Sequence, residues 1–201
     1  MTETPENIRE YWFGTALEDA AVMARERAPL WWSKNPEVDN EIRRRFENCV
    51  IKAGSGKLDH WASNPQDRLA LILLTDQFPR SIYRDSAKAF AFDTKALSLA
   101  REGIDAGLDV SLRPLEKVFF YLPLEHSESL ADQQRSVSLF QKLLDEAGTD
   151  QKPTFAEYLD FAVRHRDIIS RFGRFPHRNK ALGRISTPEE LSFLQQPGSG
   201  F

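Results

Sequence analysis

The residues with chemical potential lie in three polar stretches, each cutting into an otherwise apolar helical pattern. The first, LTDQFPRSIYRD at 74–85, offers Asp76, Gln77 and Arg80 after a run of Leu and Ile. Asp76 and Arg80 stand four apart, so on a helix they can pair across one turn. The second, YLPLEHSESLADQQ at 121–134, sets His126 beside Glu125 and near Glu128. An imidazole next to carboxylates can act as a general base or bind a divalent metal. Metal motifs need several ligands at set spacing, such as two His at i and i+4. Here one His sits in a turn, so no metal and no cofactor is expected. The third, FGRFPHRNKALGR at 172–184, crowds Arg174, His177, Arg178, Lys180 and Arg184 around Phe175 and Pro176, with Asn179 following.

Each stretch also has a plain structural reading. Asp76 and Gln77 can cap backbone groups freed by Pro79, whose missing N–H should kink or end the helix near Phe78. His126 can be a hydrogen-bonded turn residue. His165 shares a stripe with Tyr158, Ala162, Ile169 and Phe172 at helical spacing, which points it toward the core. Arg174 and Arg178, held by Phe175 and Pro176, can bind acids of the same chain, such as Asp76 or Glu128. Held guanidinium groups can equally bind an external carboxylate or phosphate, since their planar donors match both. A helix starting near Asn179 would add backbone N–H donors to such a site.

Composition narrows the classes. The 201 residues are 41% hydrophobic and 28% charged, with 14 Phe and four Trp to fill a core. That is a globular composition of one-domain length, so 1–201 reads as a single domain. The net charge is −3. Between 164 and 184, six Arg and one Lys stand against the single acid Asp167, a surplus of six positive charges, so the rest of the chain carries −9. A confined basic segment on an acidic body suits an anion site or an internal network better than a nucleic-acid track. One cysteine, Cys49, excludes an internal disulfide. No apolar run approaches the ~20 residues that span a bilayer. The N-terminus MTETPENIREYW lacks signal-peptide character, so a cytoplasmic location without membrane contact is expected. Phosphate-loop, dinucleotide, nucleophile-elbow and zinc-protease motifs are absent.

The elements that must position these residues read as helices. Thr4-Pro5, Asn35-Pro36 and Asn64-Pro65 each offer a cap followed by proline at the first helical position. After Pro36, Val38, Ile42, Phe46, Cys49, Val50 and Ala53 fall on one face, and Gly54 closes the helix. QDRLALILLTDQF is apolar nearly all round, as a buried central helix should be. Further starts are expected at Asp93-Thr94, at Arg113-Pro114 with Pro123 as the stop, and at Ser129. Capping boxes are expected at Thr154 and Thr187. Strand signals are scarce. The fold class is all-α, with about eight helices.

LTDQFPRSIYRD, FFYLPLEHSESLADQQ and HRDIISRFGRFPHRNKALGRISTPEELSFL together resemble a bacterial family of uncharacterised proteins with a tetratricopeptide-like fold. The resemblance spans about residue 7 to the terminal GSGF. It implies helices stacked as antiparallel pairs in a superhelical array, although the repeat consensus itself is missing. It implies no activity and no catalytic residues. Three functions stay open. A binding module would use Asp76, Gln77, Arg80, His126, Glu128, His165, Arg174, His177, Arg178 and Asn179 to line a polar pocket for a small anionic ligand or peptide. A hydrolase of a small anionic substrate would use His126 or His165 as base and the arginines as charge stabilisers. An interaction scaffold without a pocket would bind partners through Trp12, Trp31 and Trp32.

Overall fold

A computed structural model describes residues 3–15 and 19–200. Met1, Thr2 and Phe201, at the ends of the 1–201 unit, lie outside the described residues. Every regular element among the described residues is helical: α1 (Pro5–Phe13), α2 (Ala20–Trp32), α3 (Pro36–Gly54), α4 (Pro65–Ile72), α5 (Phe78–Ile82), α6 (Asp93–Asp105), α7 (Pro114–Glu125), α8 (Leu130–Glu146), α9 (Lys152–Phe172) and α10 (Pro188–Leu194). Helix α4 runs into α5 through a π-helical turn, Leu73–Gln77, so these ten segments make nine rods.

Local chemistry explains the starts. Thr4 Oγ1 accepts from Asn7 N at 3.2 Å, and Asn35 Oδ1 accepts from Glu37 N at 2.9 Å. Asn64 Oδ1 accepts from both Gln66 N at 2.9 Å and Asp67 N at 3.2 Å. Each satisfies an N–H that an α-helix start would otherwise orphan. Thr187 and Glu190 form the expected capping box of α10.

Four expectations about the elements are corrected. Pro79 does not stop its helix near Phe78. The turn before it widens, so that Phe78 N donates to Leu73 O, five residues back, and the rod continues to Ile82. Pro123 lies inside α7, which runs on to Glu125 because its residues from Val118 onward are buried against neighbouring helices. Helix α9 begins at Lys152, so Thr154 is inside it rather than at its cap. No helix starts near Asn179; a short 3-10 turn, Pro176–Arg178, stands there instead.

The core is aromatic. Trp12, Phe13, Phe46, Phe78 and Phe119 are all at most 1% exposed. Phe119 of α7 is the hub, with ring centroids 5.6 Å from Trp12, 5.4 Å from Phe13 and 4.7 Å from Trp31. Edge-to-face geometry at these distances adds to the area buried. Leu69 through Leu74 are fully buried, as a central rod requires. A second, smaller cluster joins Ile168, Ile169 and Phe175 with Phe172 and Phe193 near the C-terminus. The three polar stretches meet where Asp76 contacts His126 and Arg178 donates to the His126 carbonyl. Trp12 and Trp31 are buried, so of the tryptophans proposed for a partner surface only Trp32, 49% exposed, faces solvent.

Candidate functional site

The widened turn carries the first member of the site. A π-helical turn inserts an extra residue per turn and re-aims the side chains after it, and such turns recur at functional positions. Here it carries Asp76, whose side chain has no solvent exposure, in the middle of the molecule. Asp76 Oδ1 meets His126 Nδ1 at 2.8 Å and Arg80 Nη2 at 3.3 Å. Asp76 Oδ2 accepts from Gln77 Nε2 at 2.6 Å. Burial pushes this carboxyl up. The Arg80 guanidinium, the His126 ring and the hydrogen bonds outweigh it and hold Asp76 below the usual carboxylate range.

His126 caps the C-terminal end of α7. Its Nδ1 is taken by Asp76, while its Nε2 has no hydrogen-bond partner among the described residues. The side chain is 15% exposed, so part of the ring meets solvent. Burial first, and then the Arg80 charge, lower its pKa from the ordinary histidine value.

Arg80 and Arg178 meet at a residue that sequence reasoning did not single out for chemistry. Arg80 Nη1 donates to Asp93 Oδ1 at 2.8 Å and Nη2 to Asp93 Oδ2 at 3.1 Å. Arg178 Nη1 reaches the same Asp93 Oδ2 only at 3.4 Å, and donates to the His126 carbonyl at 3.0 Å. Its guanidinium lies 4.4 Å from the Phe175 ring centre and 4.9 Å from that of Phe90. Its buried Nε has no hydrogen-bond partner among the described residues. Burial and the Arg80 charge bring Arg178 down to about 10. His177 is brought down to about 3 by burial and then by Arg178, His126 and Arg80.

Below His126 lies a second pair. Glu125 Oε1 is 3.0 Å from His165 Nδ1, and that nitrogen is 2.8 Å from the Phe161 carbonyl. Burial, and then the Asp76 charge, push the Glu125 carboxyl up to about 8, so it is protonated at neutral pH. The same burial lowers His165 well below the ordinary value. His165 is core-facing, as its stripe implied, with its ring centre 6.2 Å from that of His126.

The other expected residues form separate pairs. Arg174 donates to Glu190 through Nε at 2.6 Å and Nη2 at 2.8 Å, and this holds the Glu190 carboxyl down to about 2. Asn179 Nδ2 donates to the same Glu190 at 3.2 Å and to Ser186 at 3.0 Å. Glu128 is clamped by Arg184 at 2.7 and 3.0 Å and accepts from Phe175 N at 2.8 Å. So Asp76, Gln77, Arg80, His126 and Arg178 form one network through Asp93, while His165 meets it by ring contact with His126 and His177 packs on Phe175. Glu128 fastens the loop above it, and Arg174 and Asn179 tie that loop to α10. Among the described residues no group of three or more His, Cys, Asp and Glu is placed to hold a metal.

Asp93, Phe90 and Glu190 were missed as partners of the site, while Glu125 and Arg184 stood in the polar stretches without being assigned a place in it. Asp93 reads in sequence as an ordinary helix start, and nothing in its spacing announces two guanidinium partners. Glu125, in the same turn as His126, carried a visible signal.

Two surface depressions, of about 150 and 320 Å³, are lined by Arg113 and Glu116 among others. Both border the N-terminal end of α7. Twelve residues of helix, about 18 Å at 1.5 Å per residue, separate that end from His126. Neither includes a residue of the network.

The family model for a bacterial protein of unknown function (DUF924) matches residues 8–198. The chain belongs to the DUF924 family. This DUF924 protein is also similar to a solved structure, a protein of unknown function, ATU0120, from Agrobacterium tumefaciens. The two are 39% identical, with a TM-score of 0.74, over 88% of this chain and 99% of the other. No curated protein matches. Among the described residues of this DUF924 chain, no helix is long and apolar enough to cross a membrane.

Proposed function

We propose that this DUF924 protein is a cytoplasmic binding module. Its single all-helical domain, 1–201, holds a small anionic ligand or an acidic peptide end at the mouth formed by Arg178, His126, His177 and Arg80. Helices α6 to α9 each pack on the next, and in this reading they are the tetratricopeptide-like array that displays the site. The observation that carries the proposal is the state of Arg178. It is 6% exposed, lacks a partner at Nε, and has only a long contact to a carboxylate it shares with Arg80. Burial and repulsion from Arg80 outweigh its acids, so its charge is under-compensated. A carboxylate or phosphate would supply what is missing, bidentately and with charge assistance.

A nucleic acid or a membrane surface suits the molecule less well. Arg174 and Arg184 are spent on Glu190 and Glu128, so the basic window offers no continuous track. Those same pairs favour a second reading, in which the network only fastens the C-terminal loop to the helices.

Thermal melts separate the two readings. Phosphate, citrate or succinate at about 100 times the dissociation constant should stabilise the protein by about 2.7 kcal/mol. For a chain of this length that is a rise of roughly 5–10 °C. Arg178→Gln should abolish the rise. A parent protein whose melt ignores all three anions has no such site.

A further inference from the structure

We infer that the site turns its ligand over: His126, positioned by Asp76, is a general base for hydrolysis of a small carboxylic ester bearing a separate anionic group. This rests on the anion-binding reading. It adds a reaction, a substrate class and roles for two residues.

Asp76 is wholly buried on the widened turn, and His126 Nδ1 lies 2.8 Å from its Oδ1. That contact makes Nδ1 the protonated nitrogen and leaves Nε2 with its lone pair. Nε2 has no partner among the described residues, and the side chain is partly open to solvent. A carboxylate that fixes tautomer and orientation, with the far nitrogen facing the substrate side, is the arrangement that makes imidazole a base. His165, the other histidine considered as a base, has a 5% exposed side chain with Nδ1 against Phe161 O and Glu125. Its ring centre lies 6.2 Å from that of His126.

Purely structural histidines also accept carboxylate contacts. Two further features distinguish this one. The guanidinium of Arg178 is anchored on the carbonyl of His126 itself, at 3.0 Å, so the cation that would hold the anionic group is registered to the base. Gln77 and Arg80 also hold Asp76, so the acid keeps its place when the ring takes up a proton.

The step balances without a co-reactant. His126 Nε2 removes a proton from water, and the water oxygen bonds to the acyl carbon. The bond from that carbon to the alcohol oxygen breaks, and the proton on Nε2 passes to the departing oxygen. Ester and water become acid and alcohol. Asp76 touches no substrate and is a positioning residue.

The test uses the full chain with mono-p-nitrophenyl succinate, and p-nitrophenyl acetate as the uncharged control. The parent should hydrolyse the succinate ester faster, with kcat falling on the acid side as His126 takes up its proton. His126→Gln should lose 10²–10⁴-fold in kcat while succinate still raises its melting temperature. Asp76→Asn should lower kcat and leave KM near the parent's, and Arg178→Gln should raise KM. Release of p-nitrophenol by the parent no faster than in buffer alone at any pH from 5 to 9, with the succinate melt shift intact, overturns the catalytic inference and spares the binding reading. Loss of the melt shift itself overturns both. The parent's pH profile needs no variant, so a variant that fails to fold does not block the test.

Discussion

Helix α7 passes through two environments within seven residues. At Phe119 it is dry: the ring packs among Trp12, Phe13 and Trp31, and Trp32 stacks over it at 5.6 Å. At Glu125 and His126 it is polar, with Asp76, His165 and Arg178 around it. Both ends are buried, but they are held differently. The dry end is non-directional, and shape and area set its contribution. The polar end is directional, and removing one partner strands another charge in a site that water cannot rescue. Conservative changes should therefore be tolerated at one end and not at the other.

The largest effect should come from the dry end. Phe119→Ala removes the hub ring and should cost about 3–5 kcal/mol, read as a lower urea midpoint. Phe119→Leu keeps most of the volume and should cost less than about 1.5 kcal/mol. At the polar end the shape-conserving swap is the damaging one. Asp76→Asn keeps the outline but removes the charge facing Arg80 and His126, and should cost about 1.5–3 kcal/mol. A midpoint for Asp76→Asn above that of Phe119→Leu would break the contrast.

A pH profile tells the two regions apart, because the shifted titrating groups stand at the polar end. Glu125 is raised to about 8, against an ordinary value of 4.5. Between those values the unfolded chain has lost this proton and the folded chain keeps it, so Glu125 makes stability fall as pH rises. His126, His165 and His177 are lowered. Below about 6.5 the unfolded chain binds their protons and the folded chain does not, so they make stability rise with pH. Stability should therefore peak near pH 6.5. It should then decline by up to about 1.4 kcal/mol per unit toward pH 8, or about 2 kcal/mol. Glu125→Gln should flatten that decline and leave the acid limb in place. A parent curve level from 6.5 to 8 would mean that Glu125 is already ionised in the fold.

The same contrast explains what was legible in the sequence. Dry elements show themselves through periodicity. The α3 stripe is buried from Ile42 through Phe46, Cys49 and Val50 to Ala53 as its spacing implied, with Val38 at its start only half-buried, and the three Asn- or Thr-capped proline starts are real. The chemical types at the polar end were legible too, because charged residues inside apolar runs are conspicuous. Their partners were not. Asp93 lies 85 residues from Arg178 and Asp76 lies 50 from His126, and only the packed rods bring them together. Proline misled twice. At Pro79 a widened turn absorbed the missing N–H, and at Pro123 burial carried the helix through, both being tertiary packing overriding a local preference.

The smallest effect is expected on the exposed face of α8. Lys142 and Glu146 form an i,i+4 pair on α8 at 3.8 Å, with both side chains more than half exposed. Water screens that charge, and ordering two long side chains offsets most of the attraction. Lys142→Ala should therefore change stability by no more than about 0.5 kcal/mol, a difference that 0.5 M salt should erase. Arg178→Ala removes the same formal charge from a 6% exposed position between two rings, and should cost several times more at either salt. If the two variants melted alike, burial would not be what gives the polar end its strength, and the difference drawn between the two ends of α7 would collapse to one of residue type.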